Sequence, residues 1–124
     1  MRSIKRVLPV VAAALAAAAY AANGGSTPTA TRTLVGTDGP GFTITLKMGG
    51  KKVTKLKAGT YNFVINDKSA IHNFHLRGPH LDAKLTTVAF VGTKKASRVN
   101  LRPGSYMYVC DPHAPVMKGS FKVS

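Results

Sequence analysis

Leu101-Arg102-Pro103-Gly104-Ser105-Tyr106-Met107-Tyr108-Val109-Cys110 is the stretch on which the fold turns. Pro103-Gly104 is turn chemistry, because proline presets φ and glycine accepts positive φ without a steric penalty. Behind the turn the side chains alternate, with Tyr106, Tyr108 and Cys110 on one side, the period of a β-strand that lays one face on a core. The same arrangement stands 45 residues earlier in Leu56-Lys57-Ala58-Gly59-Thr60-Tyr61-Asn62-Phe63-Val64, where Tyr61, Phe63 and Ile65 share the inward face. Each copy is a strand end, a glycine turn and an amphipathic strand, which recurrent hairpin chemistry explains without any duplication. On this period Cys110 points into the core.

Working outward, further β-rich runs cover Phe42 to Met48, Thr60 to Asn66, Ala70 to Leu76, Leu85 to Val91, Ser97 to Leu101, Ser105 to Cys110 and Gly119 to Val123. Gly49-Gly50, Asn66-Asp67-Lys68-Ser69 and Gly78-Pro79 separate them as turns. Six to eight short strands over this length predict an all-β sandwich or barrel. Composition agrees. The 124 residues contain no Glu, 12 Gly and 7 Pro, a poor match to a helical bundle, whose solvated faces use Glu heavily. Apolar residues make up 44%, enough for a packed core. With one cysteine, neither an intramolecular disulfide nor a two-thiolate zinc site is available.

The first 22 residues read differently. Arg2, Lys5 and Arg6 precede an apolar run from Val7 to Ala19, followed by Ala19-Tyr20-Ala21. That is the pattern of a secretory signal peptide cleaved near Ala21 or Ala22, and its apolar run is shorter than the roughly 20 residues that span a bilayer core. Residues 23–33 are small and polar, a flexible lead-in, so the domain is expected over 34–124. Basic residues number 18 against 4 acidic, a formal charge of +14; loss of Arg2, Lys5 and Arg6 leaves +11. Such a surface is steered toward anionic partners, an acidic redox protein or an anionic envelope surface. Nucleic acid is not expected, since no exposed aromatic platform accompanies the lysines.

Chemistry gathers in Cys110-Asp111-Pro112-His113-Ala114-Pro115-Val116-Met117, with a thiol, an imidazole and a thioether inside eight residues of a proline-stiffened loop. Upstream lies His72-Asn73-Phe74-His75. Strand parity puts His72 with Phe74 and Leu76 on the core face and turns Asn73 and His75 away, so one histidine of the two belongs with the core. His80, beside Gly78-Pro79, reads as a solvated loop residue. Singly, Cys110 is a buried thiol, Met117 a filler and His113 a loop histidine. Together, a soft thiolate, two imidazoles and a weak thioether are the donor set of a blue-copper electron-transfer centre.

With these residues in view, the chain resembles the cupredoxin family, and more closely its plastocyanin-like small members. The resemblance extends over nearly all of 34–124: the Phe42-to-Met48 strand, LKAGTYNFVI, HNF, RPGSYMYVC, the ligand loop and the closing KGSFKV strand. It implies a Greek-key β-sandwich, one type 1 copper, and His72, Cys110, His113 and Met117 as the metal ligands. It also implies that Asn73 braces the loop around the cysteine by hydrogen bonding, and that His113 lies near the surface, with Pro112, Ala114, Pro115 and Val116 near it at the docking site. Three residues separate His113 from Met117, whereas plastocyanins use four and shorter-loop members two. The expected function is an exported, monomeric carrier of single electrons, in the periplasm or at the cell envelope, with no membrane insertion after cleavage. Two rivals are an envelope copper carrier or buffer using the same ligands, and a copper-free β-sandwich interaction module. An enzyme is not expected, because four protein ligands leave no open position for a substrate.

Overall fold

The computed structural model describes residues 31–124; the leader expected over 1–22 and most of the lead-in expected over 23–33 lie outside them. Ten strands succeed one another in chain order: β1 (Arg32–Asp38), β2 (Ile44–Met48), β3 (Lys51–Lys52), β4 (Lys55–Leu56), β5 (Gly59–Asp67), β6 (His75–Gly78), β7 (Leu81–Lys84), β8 (Gly92–Leu101), β9 (Gly104–Val109) and β10 (Lys118–Val123). They form two five-stranded sheets, in the orders β3-β2-β1-β5-β8 and β4-β10-β9-β6-β7. The result is the expected all-β sandwich, with more strands than the six to eight expected because β3, β4, β6 and β7 are two to four residues long.

The deciding stretch and its echo behave alike. In β5 every second residue from Tyr61 is buried, and in β9 Tyr106 and Tyr108 are buried. The Tyr61 hydroxyl donates to the Lys57 carbonyl (2.6 Å) and the Tyr106 hydroxyl to the Arg102 carbonyl (2.8 Å), four residues back in each case. Both tyrosines thus tie the strand start to the turn before it, and both hydroxyls are satisfied where burial makes that obligatory. The core between the sheets is aromatic. Tyr106 stacks on Phe121 with ring centroids 5.2 Å apart, and Phe74 on Tyr108 at 5.6 Å. Gly119 stands opposite Tyr108 in the β9–β10 ladder, and a Cβ on it would occupy the space of the tyrosine ring.

Three expectations need correction. Residues 23–33 do not all precede the domain: Arg32 and Thr33 already belong to β1, which pairs with β2 and, in parallel, with β5 near the middle of its sheet. The inward positions of β1 are Leu34, Gly36 and Asp38, a glycine and an acid where an apolar side chain would have announced a strand. Gly36 is required because the Phe74 ring fills that space, 2.7 Å from where a Cβ would sit. Leu85–Val91 is irregular and the strand starts at Gly92, with Val88 and Val91 exposed rather than packed. Ala70–Leu76 is a strand only from His75, because residues 70–74 carry the chain from one sheet to the other.

Candidate metal centre

The irregular segment decides how the two histidines sit. Strand parity allowed only one with the core, but His72 and His75 are 1% and 2% exposed. Without strand geometry at 72–74, successive side chains are free to turn inward from different directions. His72 Nε2 donates to the Gly41 carbonyl in the β1–β2 connection (2.7 Å). A carbonyl can only accept, so Nε2 carries the hydrogen and Nδ1 presents its lone pair.

That lone pair faces the loop that leads from β9 to β10. Cys110 comes directly after β9 and is fully buried. Asp111–His113 form a 3₁₀ turn with Pro112 in its first positions, and the His113 amide donates to the Cys110 carbonyl (3.1 Å). One turn further, the Met117 amide donates to the His113 carbonyl (2.9 Å), and the Cys110 amide donates to the Met117 carbonyl (3.0 Å). The three residues between His113 and Met117 are thus one closed turn that returns buried Met117 to the main chain of both Cys110 and His113.

His72 Nδ1 lies 3.1 Å from His113 Nδ1 and 3.7 Å from Cys110 Sγ, and Sγ lies 3.5 Å from His113 Nδ1. The point equidistant from three atoms with those separations is about 2 Å from each, within the roughly 2.0–2.3 Å of first-row metal bonds to imidazole and thiolate. Two ring nitrogens and one sulfur, from buried His72 and Cys110 and half-buried His113, thus converge on a single point. The donor set therefore fits copper in type and in spacing, and His72, Cys110 and His113 form the metal-capable cluster.

Asn73 does bond to the loop. Its Oδ1 accepts from the Asp111 amide (2.7 Å) and its Nδ2 donates to Asp111 Oδ2 (2.8 Å), a two-point contact on the residue after the cysteine. Sequence reasoning missed Phe42, whose ring stands edge-on to His113 (centroids 4.8 Å apart) and to His72 (5.8 Å) while remaining 58% exposed. Phe42 adjoins Gly41, the acceptor of His72, but no spacing rule connects it to the distant loop. His80 is exposed, as expected.

The family model described as copper binding proteins, plastocyanin/azurin family, matches residues 42–124. Among solved structures, a chain of a heme-copper terminal oxidase dimer is 17% identical, with TM-score 0.52 and 86% of each chain covered. The copper protein rusticyanin is 20% identical over 74% of this chain and 76% of its own, with TM-score 0.50. Auracyanin A, a "blue" copper protein from Chloroflexus aurantiacus, is 21% identical over 74% of this chain and 98% of its own, with TM-score 0.48. No curated protein sequence matches the chain.

Proposed function

This chain belongs to the plastocyanin/azurin copper-binding family, its cofactor is one type 1 copper, and from that premise we propose that it is an exported carrier of single electrons. His72 Nδ1, His113 Nδ1 and Cys110 Sγ would hold the ion, and the Met117 thioether would serve as a weaker fourth donor. When bound, copper supplies a one-electron couple whose reduced state is favoured by thiolate and thioether and whose two states are both accepted by imidazole.

The chain's own task is to keep these donors from moving. Gly41 fixes the His72 ring, Asn73 fixes the main chain after Cys110, and the loop turns tie His113 and Met117 to Cys110. Donors already in place need little rearrangement when the charge on their ligand changes. With four protein donors no position is left for a substrate, which favours a carrier over an enzyme. His113 is the half-buried member. Exposed Phe42 and Val116 flank it with Pro112, Ala114 and Pro115, an apolar docking face across which a partner approaches the ring.

The chain has four acidic residues, all Asp: Asp38 and Asp67 are buried, while Asp82 and Asp111 are paired with His75. What remains on the surface is overwhelmingly cationic, and this supports an acidic redox protein or an anionic envelope surface as the partner of a monomer. The leader over 1–22 supports export to the periplasm or envelope. Among the described residues no helix is long and apolar enough to cross a membrane. The observation that carries the proposal is the donor triangle of His72, Cys110 and His113. It is tested by titrating the chain with Cu(II): an intense visible thiolate-to-copper band is expected at one equivalent. Its absence would overturn the reading.

A further inference from the structure

The second histidine of the His72-Asn73-Phe74-His75 segment has no part in the donor triangle, yet its side chain is 3% exposed and both its ring nitrogens are engaged. Nδ1 lies 2.9 and 3.0 Å from the two carboxylate oxygens of Asp111, and Nε2 meets the carboxylate of Asp82 on β7. Ionised carboxylates only accept, so each ring nitrogen that faces one is placed to donate. Arg77 Nε lies 3.3 Å from Nε2, and the Arg77 side chain comes within 3.9 Å of both carboxylates. The ring N–H keeps Asp82, because a guanidinium has no lone pair to offer in return. The acids respond accordingly. Hydrogen bonding to His75, ahead of its charge, holds Asp82 below the ordinary carboxylate range. At Asp111, burial pushes upward but is outweighed by the bonds from Asn73 and His75.

Asp111 is the hinge of this arrangement. Its main-chain amide is held by Asn73, its carboxylate by Asn73 and His75, and Cys110 precedes it directly. We propose that His75 is a positioning residue for the metal centre: clamped between Asp82 on β7 and Asp111 on the ligand loop, it orients the Asp111 carboxylate and thereby fixes the chain beside Cys110. By bonding to the Asp111 carboxylate it also draws off negative charge one residue from the thiolate, charge that otherwise favours the more positive state of a bound metal. The inference rests on the copper reading for its effect on potential, but the clamp itself does not.

Two measurements separate these parts. In the metal-free wild-type chain at neutral pH, nitrogen NMR of the imidazoles is expected to show both His75 nitrogens protonated. Hydrogen exchange of the Asp111 amide is expected to quicken at least tenfold in H75Q and in D82N, the latter altering a side chain 76% exposed and so leaving folding intact. In the copper-loaded chain H75Q is expected to keep the visible band but lower the midpoint potential, by about 59 mV if the ratio of Cu(II) to Cu(I) affinity rises tenfold. Unchanged Asp111 exchange in D82N, or a His75 ring with one bare nitrogen, overturns the clamp. An unchanged potential in folded H75Q overturns its influence on the metal. A wild-type chain that takes up no copper removes the copper reading, and the exchange arm still decides on the clamp.

Discussion

The two copies of the glycine-turn strand begin alike and end apart. Leu56 and Leu101, Gly59 and Gly104, Tyr61 and Tyr106, Phe63 and Tyr108 occupy matching places, down to a hydroxyl that returns to the carbonyl four residues back. At the next inward position one copy has Ile65 and the other Cys110, both fully buried. Beyond that, one copy reaches Asp67, which pairs with Asp38 in the β1–β5 ladder; its Oδ1 accepts from the Ser69 amide, whereas its Oδ2 and both Asp38 carboxylate oxygens have no hydrogen-bond partner among the described residues. The other reaches Asp111, held by Asn73 and His75. Alternation and turn chemistry build the same scaffold twice. The residues at the far end of each strand decide whether it closes the core or carries chemistry.

The sharpest way to break the comparison is to exchange the divergent residues. Cys110→Ser should keep the fold, being small and of similar shape, and abolish the visible band, since the band requires the thiolate. Ile65→Ala should do the reverse, losing about 3 kcal/mol of stability to the cavity it leaves while the band of the folded fraction stays. Denaturation curves read beside copper spectra check both. A band surviving in Cys110→Ser removes Cys110 from the site, and a band lost in folded Ile65→Ala shows that the two strand ends are not independent.

The same contrast marks what was legible in the sequence. The amphipathic strands, with Tyr61, Phe63, Ile65, Tyr106 and Tyr108 facing inward, announce themselves because local period and tertiary burial agree. His72, Cys110 and His113 were visible as a set, since their types have few reasons to occur together. Strand β1 was hidden because Gly36 and Asp38 take inward positions for reasons lying elsewhere in the chain: the Phe74 ring and the Asp67 carboxylate. Phe42 and His75 were illegible for the same cause. Their roles come from contacts with the ligand loop and with β7, which no spacing along the chain encodes.

The unlike carboxylates also give opposite responses to pH. Burial, then the neighbouring Asp67 carboxylate, raise Asp38 from 3.8 to about 7, whereas Asp111 is lowered. A group raised on folding holds its proton when the unfolded chain has released it, so stability should fall as pH rises from about 4 to about 7. Asp38→Asn removes that slope and, at pH 8, should stabilise the chain by about 2 kcal/mol. Asp111 acts with the other sign, contributing above the ordinary carboxylate range and losing its contribution as the solution is acidified through its depressed value. Urea midpoints of wild type and Asp38→Asn from pH 4 to 8 check the first claim, and parallel slopes would remove the buried pair as its source.

The smallest effect tests whether the two copies are equivalent where they look the same. Tyr61→Phe and Tyr106→Phe each remove one hydroxyl bonded to a carbonyl, for a cost of about 1 kcal/mol each. Tyr106 lies four residues before Cys110 on an extended strand, about 13 Å along the chain. Loosening that corner should therefore leave the copper band untouched, as should Tyr61→Phe. Equal losses of stability with unchanged spectra mean the turn corner serves the sandwich in both copies. A band altered by Tyr106→Phe alone means instead that tension in the strand start is carried to the cysteine, and that the second copy is specialised along its whole length.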